Sequence, residues 1–100
     1  MIKHLCLIKY KDPAAVDAAL QSRVESIYQN FVALVPGLRR MEVGRDLGLL
    51  DGNYDLGICA EFETEEDFRT YSVHPAHMET LFPVLGPVME SWTTLQFKLK

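Results

Sequence analysis

Tyr71, His74 and His77 stand close together in the stretch YSVHPAHMETLF, while the third histidine of the chain, His4, lies near the opposite terminus. An imidazole titrates near neutrality, so His77 can take a proton from a carbon acid or a phenol and hand it back. The Tyr71 hydroxyl could orient that ring, or donate to an oxygen on which negative charge develops. These two are the candidate catalytic residues. Pro75 fixes the backbone between the histidines, and Ala76-His77 open a new helix whose N-terminal end disfavours imidazolium and keeps His77 basic.

Two other readings of the same stretch stand beside the acid–base one. In a structural reading His74 bonds the turn, His77 satisfies a backbone carbonyl and Tyr71 belongs to the core, because buried polar groups are usually just paired. A metal site would need three convergent ligands. His74 and His77 are separated by a helix break, no cysteine lies nearby and Glu79 points elsewhere on its helix, so neither a metal nor a cofactor is expected.

The elements that must position these residues follow from periodicity. IKHLCLIKY, residues 2–10, is a short apolar strand with His4, Cys6, Ile8 and Tyr10 on one face and Lys3, Leu5, Leu7 and Lys9 on the other. Asp12-Pro13 reads as a helix start, with a capping carboxylate and a proline that has no N–H to lose. Val16, Leu20, Val24, Ile27, Phe31 and Leu34 then form one stripe at helical spacing, ended by Pro36-Gly37. LRRMEVGR, 38–45, is a second strand with Arg39, Met41 and Val43 on one face. Residues 46–53 are a connection whose Asp51-Gly52-Asn53 favours positive φ.

YDLGICAEFE, 54–63, alternates as a strand with Tyr54, Leu56, Ile58, Ala60 and Phe62 on one side. Thr64 before Glu65, Glu66 and Asp67 marks a helix N-terminus, and Pro75 cuts that helix short. A further helix is expected from Ala76 to about Leu85, irregular near Pro83, and WTTLQFKLK, 92–100, closes the chain as a strand. The order β-α-β-β-α-β, with its second helical region broken in two, is a ferredoxin-like α+β domain. It builds a four-stranded antiparallel sheet with helices on one face.

Length and composition agree. One hundred residues make a single domain, 1–100, and 48% hydrophobic with 24% charged residues is ordinary for a globular protein. A formal charge of −4 with scattered basic residues offers nothing to a phosphate backbone, so no nucleic-acid partner is expected. No apolar run approaches a membrane span and no cleavable signal precedes the first strand, so a cytoplasmic protein is expected. Cys6 and Cys59 read as small buried hydrophobes on opposite faces of the sheet, too badly placed to pair. Arg39, Arg40 and Arg45 could hold an anionic substrate, although charges along a strand edge explain them as well.

His4, on the helix-facing side of its strand, needs a polar partner, and the HPAH turn is the natural source. The other sheet face has Leu5, Leu7, Gly57 and Cys59 and nothing in the chain to cover them, so a homodimer through the sheet is expected.

The segments MIKHLCLIKYKD, VPGLRRMEVGRD, YDLGICAEFETEEDFRTY and VHPAHMETL, in this order, resemble the stress-responsive A/B barrel (Dabb) family of dimeric α+β barrels. The HPAH box with a tyrosine shortly before it is the most specific piece. The resemblance implies a protomer whose sheet packs face to face with a partner's. Some members resembling this chain act as cofactor-free polyketide cyclases with a histidine and tyrosine as the acid–base pair. Those positions fall on His77 and Tyr71, and a pocket histidine falls on His4. The candidate ligand-binding residues are His4, Cys6, Ile8, Tyr28, Met41, Ile58 and His74, and Phe31, Phe62, Phe68 and Phe82, at amphipathic positions, read as core and pocket lining. Wall positions that are bulky or aromatic in cyclase-type members fall on Val24 and Glu25, and another pocket histidine falls on Leu56. Two functions are consistent with this set: a barrel that binds a small apolar or aromatic molecule, and a cofactor-independent cyclase-like or isomerase-like enzyme.

Overall fold

Alternating burial makes Ile2–Tyr10 the strand β1, with Ile2, His4, Ile8 and Tyr10 turned inward. The computed structural model describes residues 1–100. A short 3-10 turn, Pro13–Ala15, leads to the helix α1 at Ala18–Leu34, followed by β2 at Leu38–Arg45 and β3 at Leu56–Phe62. The helix α2 spans Glu65–Ser72. A π-helical segment at Ala76–Leu81 runs on into α3 at Phe82–Leu85, and a 3-10 turn precedes β4 at Met89–Lys98. The strands form one antiparallel sheet in the order β2-β3-β1-β4, the ferredoxin-like arrangement expected from the sequence, with the helices on one face.

Several boundaries differ from the expectation, each for a local reason. The first helix does not start at Asp12-Pro13. Asp12 caps only the short turn, and a second cap, Asp17, accepts from Leu20 N–H at 2.8 Å and starts α1. Between the two caps Val16 is extended and buried. Arg45 holds the interruption by donating to the carbonyls of Val16 at 2.8 Å and Pro13 at 2.7 Å. The buried stripe of α1 is accordingly Gln21, Val24, Tyr28 and Phe31, while Leu34 is exposed. Gln21 is admitted to the core because its Oε1 accepts from the Tyr10 hydroxyl at 3.1 Å. In β2 the register shifts between Leu38 and Arg40. This bulge puts Leu38 and Met41 on the buried side and sends Arg39 to Glu63, so Arg39 does not share the Met41 face as the simple alternation implied. Arg40 pairs with Glu42 and Glu61. All three arginines thus have structural partners. β4 starts three residues earlier than expected, because the 3-10 turn ends at Val88 and Met89 already pairs with Tyr10.

The core lies between α1, α2, α3 and the inner sheet face, around Ile8, Tyr10, Phe31, Leu56, Phe62, Leu81 and Leu85. Gly37 makes the close approach of α2 possible. Its φ of 82° is left-handed, and a Cβ there would lie 2.2 Å from the Asp67 carboxylate carbon. The outer face presents Leu5, Leu7, Cys59, Thr93, Leu95 and Phe97, of which Leu7, Thr93, Leu95 and Phe97 are exposed. Cys6 and Cys59 are free thiols on opposite faces, as the strand phases required. Both are half-buried rather than buried: Cys6 lines a cavity on the helix side, and Cys59 belongs to the uncovered face.

Candidate functional site

Tyr71 is carried by α2, which starts where Thr64 Oγ1 accepts from Asp67 N–H at 3.1 Å and donates to the Asp67 carboxylate at 2.9 Å. Three carboxylates sit in its first turn, at the positive end of the helix dipole. The chain leaves that helix after Ser72, with Val73 as its C-cap, and His74, which precedes a proline, does not resume it. Its imidazole Nδ1 accepts from Ala76 N–H at 3.1 Å and so caps the second helical segment. His77 follows in the π-helical segment. Pro83 explains the wide turn: it has no N–H for the Glu79 carbonyl, and its ring crowds that carbonyl. The wider turn brings residues five apart onto one face, and the rings of His77 and Phe82 meet edge to face, centroids 5.1 Å apart.

The result is an aromatic box. The Tyr71 and His77 rings are 4.9 Å apart at 72°, Phe31 lies 5.9 Å from His77, and His4 stands 6.1 Å from Tyr71 and 4.8 Å from Phe68. Within it is a cavity of about 150 Å³. The β1 residues His4, Cys6 and Ile8 form its floor, with Tyr28 at one side. Phe68, Tyr71 and Ser72 from α2 and His77, Leu81, Phe82 and Leu85 from the segment after it complete the wall, and Met89 and Trp92 stand at the β4 end.

Electrostatically the site is neutral at pH 7. Burial, and then the charge of His77, lower the pKa of His4 to about 4, and burial lowers that of His77. Burial, not the helix dipole, is therefore the main reason His77 is a neutral imidazole. Burial raises the Tyr71 and Tyr28 hydroxyls well above the ordinary tyrosine range and pushes the Cys6 thiol up to about 11, so all three keep their protons. His4 does not find its partner in the HPAH turn. Gln96 of β4, directly opposite in the register, meets His4 Nδ1 at 2.9 Å. His77 Nδ1 is the one buried side-chain nitrogen or oxygen without a hydrogen-bond partner. No three His, Cys, Asp or Glu side chains converge as a metal-ligand set.

The titration of the two imidazoles has a direction. Both have folded-state values below the unfolded one, so unfolded chains bind protons first as pH falls. Stability is full above about pH 6.5 and declines toward pH 4, where His4 itself protonates. The expected loss over that window is of order 1–3 kcal/mol, and urea titrations at pH 7 and pH 4.5 measure it. Replacing His4 by Gln should flatten the profile; an unchanged slope would show that His4 is not buried neutral.

Residues 2–99 match the model of the stress responsive A/B barrel domain, nearly the whole chain. The chain belongs to the stress responsive A/B barrel family. A curated relative, olivetolic acid cyclase from Cannabis sativa, is 28% identical over 79 residues, covering 77% of this chain and 76% of that protein. A dimeric ferredoxin-like protein of unknown function from Thermobifida fusca is 31% identical. It superposes with a TM-score of 0.83 over 98% of this chain and 90% of that one. Hydroxynitrile lyase from Passiflora edulis superposes with a TM-score of 0.80 at 17% identity, over 99% and 93% of the two chains, a likeness of fold alone.

In this stress responsive A/B barrel the structure brings His77, Tyr71, His4, Cys6, Ile8 and Tyr28 to one cavity. It does not bring Met41, Ile58 or His74 there. Met41 and Ile58 are buried on β2 and β3, beside the floor on the same sheet face, and His74 is committed to the turn. Val24, Glu25 and Leu56 are not on the wall either: Val24 and Leu56 are buried, and Glu25 accepts from Gln21. Among the four phenylalanines, Phe68 and Phe82 line the cavity while Phe31 and Phe62 back it. Ser72, Leu81, Leu85, Met89 and Trp92 escaped sequence reasoning. The i, i+4 pair Leu81 and Leu85 was the available signal, whereas Trp92 is placed only by its pairing with Ile8.

Proposed function

We propose that this protein is a homodimeric barrel that binds one small apolar or single-ring aromatic molecule in the cavity between the sheet and α2–α3. The observation that carries the reading is an apolar cavity with one unpaired buried polar atom on its wall, His77 Nδ1. At about 150 Å³ it matches the size of an engineered apolar cavity that takes benzene. The dimer rests on the uncovered outer face with Leu7, Leu95 and Phe97, and on the similarity to the dimeric Thermobifida fusca protein. Two free thiols support a reducing, cytoplasmic setting. A net charge of −4 argues against nucleic acid, and no helix is long and apolar enough to cross a membrane.

The test is a titration with toluene and with phenol, followed by the ring resonances of Tyr71, His77 and Phe82. Shifts confined to the cavity, lost in Cys6→Phe, are the expected result. Unperturbed rings at millimolar ligand would overturn the reading.

A second reading is favoured by the edge contact of Tyr71 and His77 at 4.9 Å with both groups neutral. A neutral imidazole can remove a proton from carbon beside a carbonyl, and a protonated phenol can donate to the enolate oxygen that forms. The proton returned to a different carbon gives isomerisation; attack of the enolate carbon on a second carbonyl of the same substrate, with the proton passed to the alkoxide that forms, gives an aldol-type cyclisation. The similarity to olivetolic acid cyclase supports a cyclisation of this kind.

A further inference from the structure

The most exposed large apolar side chains of the chain are in neither the cavity nor the sheet. Leu47, Leu49 and Leu50 are 82%, 79% and 72% exposed, side by side in the connection between β2 and β3. This loop is held at its base. Asp46 accepts from Gly48 N–H at 2.9 Å and from Asn53 Nδ2 at 3.1 Å, and its own N–H donates to the Asp55 carbonyl at 2.8 Å. Gly48 and Gly52 take the left-handed turns. A loop built this way and tipped with leucines presents an apolar surface to a partner. It also borders the uncovered sheet face, since Gly52, Asn53 and Tyr54 share a groove with Leu7, Gly44 and Gly57.

We propose that loop 46–53 is an arm that seats on a second copy of the chain, its leucines against the partner's Trp92, and closes the solvent end of the partner's cavity. This rests on the face-to-face dimer of the preceding reading and adds to it a contribution of one copy to the other's site. The seat follows from the sheet. Its unpaired edges are β2 and β4. Two sheets packed face to face bring the β2 edge of one copy to the β4 edge of the other when the two-fold axis runs along the strands. Such an axis preserves strand ends. The row Arg45, Leu56, Ile8, Trp92 crosses the sheet at the end from which the loop leaves. The arm therefore arrives at the partner's β4 edge, and its leucines reach round that edge to Trp92, which lies with Ile8 on the helix-facing side.

Charge favours this seat. The arm carries Asp46 and Asp51, and beside Trp92 Lys9 and Lys11 outnumber Glu90. An axis across the strands would instead bring the arm to the partner's β2 edge, where Arg39 and Arg40 are already paired with Glu63, Glu42 and Glu61, whereas Lys9 and Lys11 have no ion-pair partner. The seat also has something to cover: Trp92 is 60% exposed although it lines the cavity.

Trp92 is the only tryptophan of the chain, so its fluorescence reports the contact directly. The experiment compares wild type, Leu49→Asp/Leu50→Asp and Leu95→Asp by sedimentation and by acrylamide quenching. Wild type should sediment as a dimer with a shielded, blue-shifted tryptophan. The arm variant, measured at a concentration where it is still dimeric, should show quenching stronger by about twofold or more, since an anchor at an interface is screened only while its cover is in place. Leu95→Asp, on the sheet face, should be monomeric and as strongly quenched. A dimeric arm variant with wild-type quenching would overturn the arm and leave the dimer standing. A wild type that sediments as a monomer would overturn the dimer reading and the arm with it.

Discussion

Replacing Phe62 by alanine is expected to lower the unfolding free energy by about 3–5 kcal/mol and to abolish ligand binding in the cavity. Phe62 is fully buried at the end of β3, paired with Ile2 on one side and Leu38 on the other. Its ring packs on Tyr71 at 5.1 Å, Phe68 at 5.5 Å and His4 at 6.5 Å. Truncation removes the apolar transfer term and leaves a void under all three, which cannot collapse because the neighbouring strands are locked in register. A domain of this size has about 5–15 kcal/mol in total, so the variant should sit near its unfolding threshold at 37 °C. Urea denaturation measures the loss. Phe62→Leu, which keeps most of the volume, should cost under about 1.5 kcal/mol. A Phe62→Ala loss no larger than that of the leucine variant would show that Phe62 does not support the rings of His4, Phe68 and Tyr71 that line the site.

His77→Phe should do the opposite to stability while removing function. The ring contacts to Phe31, Tyr71 and Phe82 are open to a phenyl ring in the same place, and the unpartnered Nδ1 disappears. A stranded buried polar atom costs about 1–3 kcal/mol, so the variant should melt at or above wild type. Phenol binding should weaken, because no imidazole remains to hydrogen-bond the hydroxyl. If the site is catalytic, deuterium incorporation beside the carbonyl of a single-ring ketone in D2O should fall to the uncatalysed rate. A variant that loses stability, with toluene and phenol binding both unchanged, would assign His77 to structure alone. Stability gained at a position where function is lost is the mark of a residue retained for the site rather than the fold.

Local chemistry made much of this molecule legible in advance. Period-two alternation in residues 2–10 and 54–63 identified the inner faces of β1 and β3, and Thr64 with its three following carboxylates identified the start of α2. Pro75 and Pro83 announced the broken second helical region. The uncovered outer face was implied by two strands with apolar residues on both sides. Six of the nine residues proposed for the site meet at one cavity, because the strand phase of β1 and the position of the HPAH box determine which way those side chains can point.

What only the tertiary structure decided lies where two local signals compete or where a partner comes from far along the chain. Asp12 and Asp17 are both good caps, and the choice fell to Asp17 because Arg45, distant in sequence, takes the carbonyls of Pro13 and Val16. The bulge at Arg39 restored Leu38 and Met41 to the same side, which alternation cannot foresee because the inserted residue is visible only against β3. His4 was expected to lean on the HPAH turn and instead meets Gln96, since cross-strand register, not proximity to another histidine, selects the neighbour. The cavity itself is the space left where a π-helical turn, a short helix and an edge strand fail to close on β1. A sequence specifies the faces of its elements through short-range sterics and hydrogen bonds, whereas the gaps between elements depend on how the whole set packs.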